Sequence, residues 1–149
     1  SDLLSMIGKY WGAERAYHHT APINMLYGLH EATRLALEEG LEARITRHAE
    51  NAETFRKGVQ AMGLNLPVAP NVRLNPLTVI QIPEGIDDGA ARRHLLDESG
   101  IEIGGGLGAF KGKVWRVGLM GAASTPANVT ACLEGLRGAL AAQGYAGSA

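Results

Sequence analysis

Two side chains ahead of a predicted helix are suited to binding an anion. Tyr17 and Thr20 lie three residues apart, just before the helix that Pro22 would begin. The N-terminus of a helix presents free backbone N–H groups and partial positive charge, and hydroxyl groups beside it would add donors for a phosphate. The structural alternative is that Thr20 caps the helix while Tyr17 packs. The residues alone leave both interpretations open.

A single arginine, Arg116, interrupts the apolar run 114–119, which is predicted to be a strand. Because side chains alternate along a strand, Arg116 shares a face with Val114 and Gly118, opposite the bulky Trp115. A guanidinium on the less crowded face suits bidentate binding of a carboxylate. The alternative is an arginine on an edge strand that contacts water.

Four of the five residues in the segment 104–108 are glycines. Glycine permits positive φ and lets another backbone or a ligand approach closely. A plain hairpin between the flanking strands would need fewer glycines. The segment is therefore predicted to be a place of close approach, although its chemistry specifies no ligand.

Generic metal and nucleotide motifs fail at required positions. The run 30–34 begins like a zinc-protease helix, but Arg34 replaces the second histidine ligand. The run 104–109 has Ala109 in place of the third glycine of a dinucleotide-binding loop, and no long parallel unit surrounds it. The run 107–114 ends in Val114, where a P-loop needs Ser or Thr. We therefore predict no metal site and no nucleotide loop.

The composition excludes several classes of function. The chain has 149 residues, 46% of them hydrophobic and 19% charged, which is ordinary for a globular domain with a core. A net charge of −1 gives no basis for a nucleic-acid or membrane-surface partner. No apolar run is long enough to span a bilayer. The single cysteine, Cys132, excludes an internal disulfide and fits a reducing compartment such as the cytoplasm.

The elements that must position these residues follow from hydrophobic period and from start and stop signals. Helices are predicted over 22–40, 41–62, 87–100 and 124–140, after a short helix or connector over 1–16. Strands are predicted over 77–82, 101–103 and 114–119, and the last two flank the glycine segment closely enough to pair antiparallel. The expected fold class is α+β, with helices packed on a small, mainly antiparallel sheet and a helical arm leading into it.

Six short motifs occur in a fixed order between about Tyr10 and Leu140. They are Tyr10-Trp11-Gly12, Tyr17-His18-His19-Thr20-Ala21-Pro22, Leu26-Tyr27-Gly28-Leu29, Glu39-Gly40-Leu41-Glu42, Gly105-Gly106-Leu107-Gly108 and Arg116-Val117-Gly118-Leu119-Met120-Gly121. Together they resemble the C-terminal portion of the class V, fold-type I aminotransferases that depend on pyridoxal 5′-phosphate. The resemblance is to the alanine–glyoxylate and serine–glyoxylate (serine–pyruvate) branch.

The resemblance implies an architecture and an activity. Residues 1–20 would be a connector from a large domain that this chain lacks, and residues 21–149 the C-terminal small domain with its linking helix. The full-length protein would be a transaminase that moves an amino group from serine or alanine to glyoxylate or pyruvate. It would bind pyridoxal phosphate and form a homodimer with a shared active site.

The resemblance also assigns roles to individual residues. Tyr17 and Thr20 would reach across the dimer interface to the cofactor phosphate of the neighbouring subunit. Arg116 would bind the α-carboxylate of the amino acid or oxo acid, and the loop 105–106 would lie near the substrate entrance. It suggests no role for His18 or His19.

One residue that the family needs is missing from this chain. The lysine that forms the Schiff base with the cofactor lies upstream of the Tyr17–Thr20 motif in such enzymes. The lysines present here, at 9, 57, 111 and 113, do not have that context. We therefore expect no catalytic residue within this chain, which would be inactive by itself.

Two alternatives stay open. The ureidoglycine–glyoxylate branch tends to have Asn where Tyr17 stands and Glu where Ala21 stands, and phosphoserine transamination is a further class V activity. Desulfuration would need a mobile nucleophilic cysteine, whereas Cys132 has a core-like position in the middle of a helix. A free-standing α+β binding module without a cofactor would explain the missing lysine, but Arg116 and the Tyr17–Thr20 motif argue against it.

Overall fold

The computed structural model describes residues 3–13, 16–17 and 20–147. His18 and His19 lie outside the described residues. The chain divides into two compact units, Ser1–Gly40 and Leu41–Ala149. The predicted boundary at residue 20 concerns the domains of the longer protein and stays a prediction.

The first unit consists of helix α1, Leu3–Trp11, and helix α2, Ile23–Glu39. As predicted, α2 ends at Gly40, which has φ 83° and donates its N–H to the carbonyl of Ala36 (3.1 Å). The alternative that Thr20 caps α2 is wrong. The N-cap residue is Pro22, which has no hydroxyl, and Thr20 lies two residues too early to reach the first turn.

The apolar side chains of α2 are exposed. Neither α1 nor α2, as far as these helices are described, contains a buried residue. The exposed large side chains of α2 are Ile23, Met25, Leu26, Tyr27, Leu29, Leu35 and Leu37. On the polar side, Arg34 forms ion pairs with Glu31 and Glu38, both at 2.8 Å. A helix with so much uncovered apolar surface is typical of one that packs on another surface.

The described part of the second unit contains three α-helices and a small sheet. Its helices are α3, Leu41–Ala61; α4, Asp88–Ser99; and α5, Pro126–Ala141. Its strands are β1, Leu77–Gln81; β2, Gly104–Gly105; and β3, Val114–Gly118. Short 3₁₀ helices span Pro70–Val72, Gly108–Phe110 and Gly121–Ala123. The predicted α+β class is confirmed.

Strand β3 lies in the middle of the sheet. The order is β1-β3-β2, and both pairings are antiparallel. The strand expected at 101–103 is wrong by a few residues. The backbone partners of Arg116 and Trp115 in β3 are Gly104 and Gly105. Ile103 is nevertheless buried in the core, although it belongs to no strand.

The core of the second unit lies where the helices meet the sheet. Its largest fully buried side chains come from α3, α4, α5, β1 and β3, and include Phe55, Leu95, Leu136, Ile80 and Trp115. Asp87 caps α4 by accepting the N–H of Ala90 (2.6 Å), and Thr125 caps α5 through Asn128 (3.2 Å). Both helices begin within two residues of the starts predicted at 87 and 124. None of the described helices is long and apolar enough to cross a membrane.

Cys132 is buried in α5, as its helical position indicated. Burial raises the pKa of its thiol to about 11, because desolvation disfavours the thiolate. At pH 8 only about one thiol in a thousand is then ionised in the folded state.

We predict that Cys132 resists alkylation in the folded protein. Iodoacetamide at pH 8 should label the peptide containing Cys132 only slowly, and denaturant should make labelling rapid because the free thiolate is the nucleophile. Mass spectrometry of digested samples measures both rates. Fast labelling without denaturant would contradict the buried, protonated thiol.

Candidate functional site

Arg116 lies on the central strand, so the alternative of an edge-strand arginine is wrong. Its backbone pairs with Val79 on one side and with Gly104 on the other. The side chain is half-buried, and its Nε donates to the carbonyl of Gly105 at 2.8 Å. This bond occupies the Nε side of the guanidinium and leaves the edge formed by Nη1 and Nη2 available to a ligand.

The guanidinium of Arg116 lies directly against Gly104. A Cβ atom at Gly104 would be 3.2 Å from Nη2 and 3.5 Å from Cζ and Nε of Arg116. Among the described residues, no carboxylate pairs with Arg116, and no hydrogen bond to its Nη atoms is formed. The two Nη groups can therefore bind both oxygens of a carboxylate end-on.

A pocket of about 280 Å³ opens beside Arg116. Its lining is Pro67, Val68, Val79, Gly106, Leu107, Phe110, Val114 and Arg116. Arg116 is the charged member of an otherwise apolar or backbone lining. A carboxylate would therefore meet its counter-charge with little competition from neighbouring polar side chains.

The loop from Gly106 to Phe110 forms one wall of this pocket and turns tightly. A Cβ atom at Gly106 would lie 1.9 Å from the carbonyl oxygen of Phe110, so no larger residue fits without moving the backbone. Gly108 has φ 56°, in the left-handed region. The predicted close approach at the glycine segment is thus a contact of backbone with backbone and with Arg116.

Tyr17 and Thr20 are brought together by a hydrogen bond between their hydroxyl groups at 2.6 Å. Both side chains are exposed, Tyr17 to 76%. The ring of Tyr17 also contacts the ring of Tyr10, with centroids 6.3 Å apart. Because one hydroxyl hydrogen is used within the pair, the other remains for an external acceptor such as a phosphate oxygen. Both residues belong to the first unit, whereas Arg116 belongs to the second.

The sequence analysis missed a cluster on the opposite face of β2. The carboxylate of Asp88 accepts hydrogen bonds from the Trp115 indole (3.0 Å) and from Arg92 Nε (2.8 Å). The hydrogen bond from Arg92 is the main cause that holds the pKa of Asp88 below its usual value, and Trp115 adds to it against the effect of desolvation. A buried tryptophan needs an acceptor for its N–H, so Trp115 was the available signal.

A second missed group holds the segment that follows β3. His48 Nε2 accepts the N–H of Gly121 (3.0 Å), while its Nδ1 contacts the carbonyl of Arg44 (2.7 Å), so the hydrogen must be on Nδ1. Arg47 donates to the carbonyls of Gly121 (3.1 Å) and Ser124 (2.5 Å). Helix α3 thereby fixes the end of the motif that begins with Arg116.

The described part of the chain offers no metal centre, because it contains no group of three or more His, Cys, Asp or Glu side chains able to hold an ion. The guanidinium of Arg116 and the hydroxyl pair of Tyr17 and Thr20 are groups that bind and orient anions.

No protein-family model matches the chain, but individual relatives do. It is 42% identical over 137 residues to the (S)-ureidoglycine–glyoxylate transaminase of Bacillus subtilis (strain 168), covering 92% of this chain and 33% of that protein. It is also 42% identical over 138 residues to the alanine–glyoxylate aminotransferase of Callithrix jacchus, covering 90% and 33%. The crystal structure of alanine–glyoxylate aminotransferase from Nostoc sp. matches with TM-score 0.86 at 48% identity, covering 92% and 36%.

These matches confirm the family resemblance and the fold. The chain spans about a third of the length of the curated relatives that it matches. Relatives from the ureidoglycine and alanine branches share the same 42% identity with it. The chain is therefore a homologue of the alanine–glyoxylate and ureidoglycine–glyoxylate aminotransferases. Its match to a third of their length is consistent with the C-terminal portion of a class V aminotransferase.

Proposed function

We propose that the longer protein is a transaminase that moves an amino group from a small amino acid, serine or alanine, to glyoxylate or pyruvate. The observation that carries this proposal is Arg116, whose Nη edge is unpaired among the described residues and faces no competing carboxylate. The apolar pocket beside it suits a substrate with a small side chain. The relatives are transaminases, which supplies the reaction class.

We propose pyridoxal phosphate as the cofactor. The exposed hydroxyl pair of Tyr17 and Thr20 suits its phosphate, because the pair has an O–H donor to spare and no negative charge. When bound, this cofactor supplies the electron sink on which amino-group transfer depends. The resemblance implies that the Schiff-base lysine lies upstream of Tyr17, outside this chain, so we expect this chain alone to be inactive.

The residues of this chain would bind and orient the substrate. Arg116 would hold the substrate carboxylate through Nη1 and Nη2, while the bond from Nε to Gly105 stops the guanidinium from rotating. Fixing the carboxylate restricts the substrate to one orientation, which is a large part of what such a site contributes to rate. Amino donor and oxo-acid acceptor both carry a carboxylate, so the same arginine would serve both half-reactions.

We propose a homodimer in which Tyr17 and Thr20 serve the neighbouring subunit's cofactor. The exposed apolar side chains of α2 support an interface in this part of the chain, because a surface of that kind is normally covered. A cytoplasmic location remains a prediction that rests on the single cysteine.

A second candidate is ureidoglycine–glyoxylate transamination. The 42% identity to the Bacillus subtilis enzyme favours it, whereas Tyr17 and Ala21 depart from the residues that this branch tends to carry. Both candidates use a carboxylate-bearing substrate, so the role of Arg116 is common to them. Assaying the full-length protein with alanine, serine and ureidoglycine as donors to glyoxylate separates the two.

Arg116→Ala should lower kcat/KM for every carboxylate substrate. Removing one partner of a desolvated charge pair costs about 2–5 kcal/mol, which corresponds to roughly thirtyfold to a few thousandfold. Arg116→Lys should recover only part of the loss, because an ammonium cannot form the bidentate fork. Steady-state kinetics of the full-length protein with alanine, serine and glyoxylate measures this.

The matched control is Arg93→Ala, which removes an exposed arginine from α4. It should leave kcat/KM unchanged. If Arg116→Ala impairs one amino donor only, or none, Arg116 is not the shared carboxylate anchor.

Tyr17→Phe combined with Thr20→Ala should weaken cofactor binding. A hydrogen bond to a charged group is worth roughly 1.5–3 kcal/mol, or about ten- to 150-fold in Kd. Dialysis of the full-length protein followed by visible absorbance measures the retained cofactor. Thr130→Ala, which removes an exposed hydroxyl group from α5, is the control. Wild-type retention by the double variant would show that the hydroxyl pair is structural.

Mixed dimers should reveal whether the active site is shared. One subunit carries Arg116→Ala and the other carries Tyr17→Phe with Thr20→Ala, and the two are co-expressed and dialysed. If the hydroxyl pair serves the neighbour, half of the randomly formed dimers have one intact site, and about a quarter of wild-type activity returns. No recovery above the two separate homodimers would mean that each subunit uses its own hydroxyl pair, or that no dimer forms.

A further inference from the structure

Charged side chains lie on both faces of strand β2, and only Arg116 among them is part of the proposed substrate site. On one face, the guanidinium of Arg116 lies against Gly104 and donates to the carbonyl of Gly105 (2.8 Å). On the other face, a Cβ at Gly105 would be 3.5 Å from Asp88 Oδ2 and 3.6 Å from Arg92 Nε. The Asp88–Arg92 pair therefore occupies the space that a side chain at residue 105 would enter, behind the carbonyl that holds Arg116.

The same carboxylate also reaches β3. Asp88 Oδ1 accepts the indole N–H of Trp115 at 3.0 Å, and Trp115 is fully buried and directly precedes Arg116. In the sheet, Gly105 is the partner of Trp115 and Gly104 is the partner of Arg116. One side chain at the start of α4 thus contacts the neighbour of Arg116 in sequence and lies behind its hydrogen-bond acceptor in space.

The contacts of Asp88 go beyond its own helix. Helix α4 is already capped by Asp87, so Asp88 is not needed for that purpose. Its carboxylate is partly buried, at 21% exposure, and it accepts from two side chains on two different elements. Buried polar contacts of this kind fix geometry, because leaving any donor unpaired is costly.

We propose that Asp88, together with Arg92, is a positioning residue that sets the orientation of Arg116 through Gly105 and Trp115. Without the pair behind it, β2 can shift, and the Gly105 carbonyl then no longer holds Arg116 Nε. The Nη edge would lose its fixed direction towards the pocket. The inference rests on the proposed carboxylate-binding role of Arg116 and extends it to a residue that touches no substrate.

The structural test does not depend on activity. Asp88→Asn keeps the size of the side chain and an acceptor for Trp115, but it sets an amide donor against Arg92. In a crystal structure of the full-length variant, the distance from Arg116 Nε to the Gly105 oxygen should exceed the 3.5 Å limit of a hydrogen bond. An unchanged Arg116 and Gly105 would overturn the inference.

The kinetic test compares two backgrounds. In the wild-type background, Asp88→Asn should raise KM for alanine and glyoxylate about three- to thirtyfold while kcat stays within about twofold. The size of the rise is that expected from the interaction energies between residues that share partners. In the Arg116→Ala background, the same substitution should have no further effect on KM. Equal effects in both backgrounds would mean that Asp88 acts on the fold generally, and the inference would fail.

Two further variants complete the design. Arg92→Gln keeps the bond from Trp115 to Asp88 and removes the ion pair, and it should reproduce the rise in KM. Asp97→Asn makes the same chemical change at an exposed position of α4 and should leave KM as in wild type. If Arg116→Ala itself proves harmless, the proposed function fails at that point, and the crystal structure of Asp88→Asn still decides whether Asp88 positions Arg116.

Discussion

The hydrogen bond from Arg116 to the carbonyl of Gly105 is the contact on which the site depends. It joins the central strand β3 to the two-residue strand β2, and it consumes the Nε donor of the guanidinium. What remains is a planar edge with two N–H groups on each of two nitrogens, facing an apolar pocket. A charged side chain is tolerated here because backbone, rather than a carboxylate, supplies its partner within the fold.

Strand β3 has to satisfy opposite demands on its two faces. Trp115 points into the core and must find an acceptor for its N–H, whereas Arg116 points towards the pocket and must keep its charge accessible. Strand β2 can serve both only because it has no side chains. Gly104 leaves room for the guanidinium and Gly105 leaves room for the Asp88–Arg92 pair. The glycines are thus a packing requirement of the site. The same requirement applies in the loop 106–110, where a Cβ at Gly106 would overlap the carbonyl of Phe110.

The sequence predicted what local rules control and missed what depends on contacts between elements. The ends of the helices and the face on which Arg116 lies follow from neighbours along the chain. The position of β2 does not follow from local rules. The residues that pair with β3 are the two glycines 104 and 105, although 101–103 has the more strand-like sequence. The cap by Thr20 failed because Pro22 starts the helix later. The role of Asp88 was missed, since its partner Trp115 is 27 residues away along the chain.

The groups proposed to bind substrate and cofactor are divided between the two units. The second unit has its own core and contains Arg116, whereas the first unit buries no side chain of α1 or α2 within its described part. The hydroxyl pair of Tyr17 and Thr20 lies in that first unit, immediately before the exposed apolar helix α2. Whatever surface covers α2 must therefore also set the place of the hydroxyl pair. On the proposed dimer, the hydrophobic energy of covering α2 would stabilise the position of the phosphate-binding hydroxyls, so cofactor affinity and subunit association would be coupled in both directions.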